Sequence, residues 1–197
     1  MEFPNNQPKE TAKRKELPPT SHIFVEVGPD EARAAPIIGD KKTVESGLYV
    51  AVELNHGASK KTREALNELQ KNQERKNHFV IEGNATKMSF LGDSSVDEIY
   101  FGNVFGDPKS SGTYLLLKEA KRVLKKAGRL VVREDMPASK PLKIVELDLT
   151  DLGFVVEKVV RPHDPEWKKE INVYSRLSAT DKYLSSENYL LFARLKV

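Results

Sequence analysis

Residues 22–36 read HIFVEVGPDEARAAP. An apolar run, Ile23-Phe24-Val25, passes through Glu26 to Gly28 and then into a polar segment that favours helix. Where a strand ends at a glycine and a helix begins, the backbone can come close to a ligand. The first helical turn then offers free N–H groups to it. That is nucleotide-binding chemistry. Loops of this kind usually carry two or three glycines, but here Pro29, Asp30 and Ala32 follow the single Gly28. As an N-cap, Asp30 would satisfy helix N–H groups with its own carboxylate, using donors that a ligand would otherwise share.

Other chemistries find less support. His22, His56, His78 and His163 show no metal-ligand spacing, and the chain has no cysteine for a thiolate zinc site or a disulfide. No phosphate loop ending in Gly-Lys-Ser/Thr and no nucleophile elbow is present. His163, in RPHDPEW, reads either as a general base near a site or as a solvated loop residue. Trp167, Tyr174 and Tyr183 either cap a pocket or pin their loop to the core.

The elements that must position these residues alternate. Strand patterns fall at 22–27, 48–54, 78–83, 97–103, 129–134, 154–160 and 189–197. Between 58 and 76, Thr62, Ala65, Leu66 and Leu69 form one apolar face among charged residues, which predicts a helix. TYLLLKEAKRVLKKAG predicts a second, with Leu116, Leu117, Ala120, Val123 and Leu124 as its buried stripe. Lys125 and Lys126 suit its negative end, and Gly128 its stop. PLKIVELDLTDLG predicts a third, ending at Gly153. Short apolar strands alternating with helices imply an α/β, doubly wound, mostly parallel sheet with helices on both faces. The last two strands have no strong helix between them, so the final strand is expected to be antiparallel.

The 197 residues suit one domain, 21–197, with an insertion at about 161–188 and a flexible tail at 1–20. The tail has no apolar segment of the secretory kind, and no apolar run approaches the ~20 residues that cross a bilayer. A soluble, cytoplasmic protein is expected. A net charge of +3 permits an acidic partner without indicating one.

Four stretches, in order, resemble class I S-adenosylmethionine (SAM)-dependent methyltransferases. VEVGPDEA is similar to the family's first loop and VELN to the acidic end of its second strand. GNATKMSF resembles the turn after its third strand, and LLLKEAKRVLKKAGRLVV the helix and strand that commonly read Glu-Ala-x-Arg-Val-Leu-Lys-x-Gly-Gly. The resemblance implies a seven-stranded sheet whose last strand runs antiparallel, and SAM as the cofactor. It also implies roles for particular residues. Gly28 and Pro29 would meet the methionine end, with Glu26 orienting the loop or the ammonium group. Glu53, with Leu54 beside it, would take the ribose hydroxyls; the alternative for Glu53 is a charge that closes a strand. Asn84 and Ala85 would read the adenine edge, although Asn84 equally suits a turn after Gly83. Asn103 and Asp107 would border the transferable methyl.

The chain departs from the family at Asp30 and Ala32, in a longer link over residues 34–47, and at Ala127 before Gly128. The expected activity is methyl transfer from SAM by in-line displacement to an unidentified acceptor, a small molecule rather than RNA. The rival reading is a methyltransferase-like binding or scaffold protein with weakened cofactor affinity. A lesser alternative is a tRNA methyltransferase, which VDEIYFGNVFGDPK resembles faintly without that family's tryptophan and prolines.

Overall fold

The structure, a computed structural model, describes residues 22–28, 47–71, 77–105, 112–134, 141–167, 169–170 and 188–196. Its elements are β1 (Ile23–Val27), β2 (Leu48–Glu53), α1 (His56–Lys71), β3 (His78–Glu82), β4 (Val96–Gly102), α2 (Gly112–Val123), β5 (Leu124–Glu134), α3 (Leu142–Asp151), β6 (Phe154–Val160) and β7 (Tyr189–Leu195). They form one seven-stranded sheet in the order β3-β2-β1-β4-β5-β7-β6. β1 through β5 pair in parallel, and β7 runs antiparallel to both β5 and β6, as the pattern of the last two strands predicts.

Both faces of the central strands are buried, which is why those strands read as nearly continuous apolar runs. On one face Val25, Val50, Ile99, Leu130 and Leu191 meet Leu117, Ala120 and Val123 of α2 and Val145 and Leu149 of α3. On the other, Phe24, Tyr49, Tyr100 and Phe192 meet Leu66 of α1 and Trp167. Burying one such Leu or Val side chain contributes roughly 1.5–3 kcal/mol before entropy is counted. Trp167 is only 2% exposed, so of its two expected roles it takes the pinning one. Tyr174 and Tyr183, like the 1–20 tail and most of the insertion, lie outside the described residues. No described helix is long and apolar enough to cross a membrane.

The helix boundaries correct the sequence reading. α1 starts at His56, because Asn55 Oδ1 accepts the N–H groups of Gly57 and Ala58 at 2.8 and 3.2 Å. α2 stops at Val123 rather than near Gly128. Leu124 completes the helical stripe, but it also pairs with Val96, and the ladder then jumps to Glu98 opposite Arg129. The intervening residues are taken up as an irregularity in β5. Lys125 does not cap the helix; its Nζ lies 2.8 and 2.9 Å from the Asp97 carboxylate. Main-chain donors close α2 instead, Ser94 N–H to Arg122 O and Ser95 N–H to Val123 O at 2.9 and 2.8 Å. Gly128 is needed for space: a Cβ there would stand 2.8 Å from Leu124 Cδ2 and 3.0 Å from Val96 O. α3 ends as expected, with Gly153 at φ +82 just past Leu152.

Candidate functional site

The parallel strands β1 to β4 all point their carboxyl ends to one edge of the sheet, and there the chain opens a cavity of about 370 Å³. Gly28 makes its floor. The Gly28 N–H donates to Val52 O at 3.1 Å, its φ is +68, and an added Cβ would lie 2.4 Å from Val104 Cγ1. Both the backbone conformation and the close approach therefore demand glycine. β2 contributes Glu53 and Leu54 to the wall, and β3 is followed by Gly83, Asn84, Ala85 and Thr86. Val104, Phe105 and the start of α2, with Gly112, Thr113 and Leu116, close the far side.

Five of the eight residues expected at a cofactor site thus share this cavity: Gly28, Glu53, Leu54, Asn84 and Ala85. Glu26 is buried behind it, 2% exposed, and accepts a hydrogen bond from the Tyr49 hydroxyl. Asn103 follows β4 at φ +55, with its N–H donated to Arg133 O at 2.8 Å, and is not among the lining residues. Pro29, Asp30 and Asp107 lie outside the described residues. His163 is an exposed turn residue away from the cavity lining. A wider, shallow depression of about 610 Å³ runs beside Glu64, Asn67 and Lys71 of α1, and among the described residues no strand end lines it.

Two of the five have telling local bonds. Glu53 is half-buried and its Oε1 accepts the Asn55 N–H at 3.0 Å, which leaves Oε2 available at the rim. In the β2–β3 register it lies opposite Glu82, whose Oε2 is 2.7 Å from His56 Nδ1. Asn84 closes a tight turn: its Oδ1 accepts Thr86 N–H at 2.9 Å and Thr86 Oγ1–H at 2.8 Å. Leu54 stands 75% exposed at the cavity rim.

Sequence reasoning missed Val104, Phe105, Thr113 and Leu116 as cavity residues; they come from two stretches, the end of β4 and the start of α2, that only the fold brings together. Phe105 is fixed by its N–H, donated to Glu134 Oε1 at 3.2 Å, and by its carbonyl, which accepts from Thr113 Oγ1 at 3.4 Å. The volume falls within the usual range of ligand pockets, roughly 300–1,000 Å³. Apolar walls at Leu54, Ala85, Val104 and Leu116, beside a carboxylate with a free oxygen, fit a flat base attached to a sugar.

Comparison with known proteins agrees with this geometry. Residues 25–132 match a family model described as a methyltransferase domain. The match spans more than half of the chain, and the chain belongs to that family, with the class I SAM-dependent methyltransferase fold. No curated protein matches by sequence. Among solved structures, a SAM-dependent methyltransferase from Aquifex aeolicus is 21% identical, with a TM-score of 0.61 over 89% of this chain and 82% of that one. One from Methanosarcina mazei is 14% identical, with a TM-score of 0.64 over 92% and 95%. A geranyl diphosphate methyltransferase in complex with SAM is 14% identical, with a TM-score of 0.59 over 90% and 79%. At such identities these likenesses show the fold.

Proposed function

We propose that the cavity at the carboxyl ends of β1 to β4 binds SAM and that the protein transfers its methyl group to a small-molecule nucleophile. The convergence of Gly28, Glu53, Leu54, Asn84 and Ala85 on this one cavity carries the reading. Glu53 offers Oε2 to the ribose hydroxyls. Leu54 and Ala85 flank the base and keep water from it, and Gly28 lets the backbone approach the methionine end. SAM itself supplies an electrophilic methyl on a sulfonium. The protein's share is to bind and orient the reactants, so no covalent catalytic residue is needed, and positioning contributes much of the rate.

A small acceptor is favoured because one similar structure is a geranyl diphosphate methyltransferase, and because a net charge of +3 over 197 residues makes no strong electrostatic claim on nucleic acid. A crystal structure with S-adenosylhomocysteine tests the proposal. The base should lie between Leu54 and the Asn84–Ala85 turn with its ribose on Glu53; a ligand seated elsewhere overturns it.

A further inference from the structure

The cavity's third wall has an odd foundation. Gly83, Asn84, Ala85 and Thr86 all line it, yet residues 83–95 contain no helix or strand. Asn84 and Thr86 close the turn upon themselves, and Lys87 N–H donates to Asn84 O at 3.0 Å. Those local bonds give the turn a shape without fixing where it stands relative to β2 and Gly28.

Gly83 N–H donates to Glu53 O at 2.9 Å and ties the near end of the turn to β2, while its far end is held from α2. Glu119 and Arg122, one helical turn apart, form a fork: Arg122 Nε donates to Glu119 Oε2 at 2.9 Å and Nη2 to Oε1 at 2.7 Å. The same guanidinium donates to Met88 O and Leu91 O, each at 3.1 Å, and to Asp93 Oδ1 at 2.5 Å. Glu119 Oε1 in turn accepts the Met88 N–H at 2.6 Å. Both main-chain polar groups of Met88 are therefore held by this pair, two residues beyond Thr86, while the Met88 side chain is fully buried. The Arg122 main-chain carbonyl adds a further bond, from Ser94 N–H.

We infer that the Glu119–Arg122 pair is a positioning device for the base-reading wall of the cofactor cavity, acting through Met88 on the Asn84–Thr86 turn. The inference rests on the reading of that cavity as the SAM site. Arginine suits the task because its planar fork spans two carbonyls and two carboxylates at once, which a lysine ammonium cannot do. The Arg122 hydrogen bond holds the Glu119 carboxyl below the ordinary carboxylate range, so the pair stays charged at neutral pH. A ligand-reading wall displaced by even about 1 Å loses much of its selectivity.

The test compares S-adenosylhomocysteine with its inosine analogue, in which a carbonyl replaces the 6-amino group. Both are titrated by calorimetry into wild type, Arg122→Lys and Arg122→Met, with melting temperatures measured alongside. Stoichiometry reports the folded fraction, so affinity is read on folded protein alone. Wild type should favour the adenosine compound, because its N1 can accept the Ala85 N–H while the N1 of the inosine analogue carries a proton itself. Arg122→Met should weaken it about tenfold and bring the two ligands to within about twofold of each other, with Arg122→Lys intermediate. If Arg122→Met melts lower but keeps wild-type affinity and selectivity, the pair is only a structural tie and the inference is overturned. If wild type itself gives no heat, the cofactor reading fails and the positioning role falls with it.

Discussion

Asn84→Asp should tighten cofactor binding, an unusual direction for a site mutation, and the reason lies in the turn. A carbonyl oxygen accepts two hydrogen bonds, and both positions on Asn84 Oδ1 are taken by Thr86, at 2.9 and 2.8 Å. The remaining polar atom, Nδ2, is a donor. It cannot accept from the adenine 6-amino group, which also donates. A carboxylate changes this, because one oxygen can keep the turn while the second accepts from the base. A hydrogen bond to a charged group contributes roughly 1.5–3 kcal/mol where water is excluded. Asn84 is exposed, so solvent competes and about 1 kcal/mol should remain, or about fivefold in Kd. S-adenosylhomocysteine is the proper ligand for the calorimetry, since it lacks the sulfonium charge that would attract any added carboxylate. The inosine analogue should respond with the opposite sign, because its 6-oxo group meets the carboxylate as a second acceptor. Parallel changes for the two ligands would refute the assignment of this turn to the base.

Further outcomes follow from the packing. Gly28→Ala places a Cβ 2.4 Å from Val104 Cγ1 at φ +68; strain and overpacking together should cost about 2–4 kcal/mol in urea unfolding, and wild-type stability would contradict the geometry. Trp167→Ala should cost about 3–5 kcal/mol by the same assay. Trp167→Phe should cost far less, because Trp167 Nε1 is buried with no hydrogen-bond partner among the described residues; equal losses would mean that ring volume is not what pins the segment. Glu98 is pushed above its ordinary value of 4.5 by burial, with Arg129 opposing. A carboxyl raised on folding stabilises when protonated, and that benefit disappears as pH rises through the folded value. The melting temperature of wild type minus that of Glu98→Gln should therefore fall as pH rises above 4.5. A constant difference would show that Glu98 does not titrate in this window.

The sheet was legible because buried strands leave nearly continuous apolar runs: Ile23–Val27, broken only by Glu26, Leu48–Val52 and Tyr189–Ala193 can hardly be read otherwise. The antiparallel β7 was legible too, from the lack of a helix pattern before YLLFARLKV. The end of α2 was not, because Leu124 satisfies a helical stripe and a strand pair at once, and only the presence of Val96 opposite decides between them. Within the site, the residues at strand ends were placed by the resemblance of their stretches to the family, while Val104 and Phe105 follow β4 and Thr113 stands on α2, and no local pattern brings these together. Asn84 shows a second limit. Its identity suggested an acceptor for a ligand, but which of its lone pairs remain free depends on Thr86. Glu119 and Arg122 stand in the stretch that resembles the family's Glu-Ala-x-Arg pattern, but their chief partners are main-chain groups of Met88 and Leu91, about thirty residues away, and these carry no side-chain signal.

The central claim is that this family member still holds SAM despite a first loop with one glycine, and a calorimetric titration of SAM into wild type and Glu53→Ala tests it most directly. Glu53 offers an oxygen to the ribose, and among the described residues its side chain bonds only the exposed Asn55 N–H, so its loss should barely alter the fold. Wild type should bind one equivalent of SAM. Glu53→Ala should bind at least about tenfold more weakly, given roughly 1.5–3 kcal/mol for a hydrogen bond to a charged acceptor. Equal affinities would remove Glu53 from the site, and no binding to wild type at millimolar SAM would leave a methyltransferase fold that serves as a scaffold.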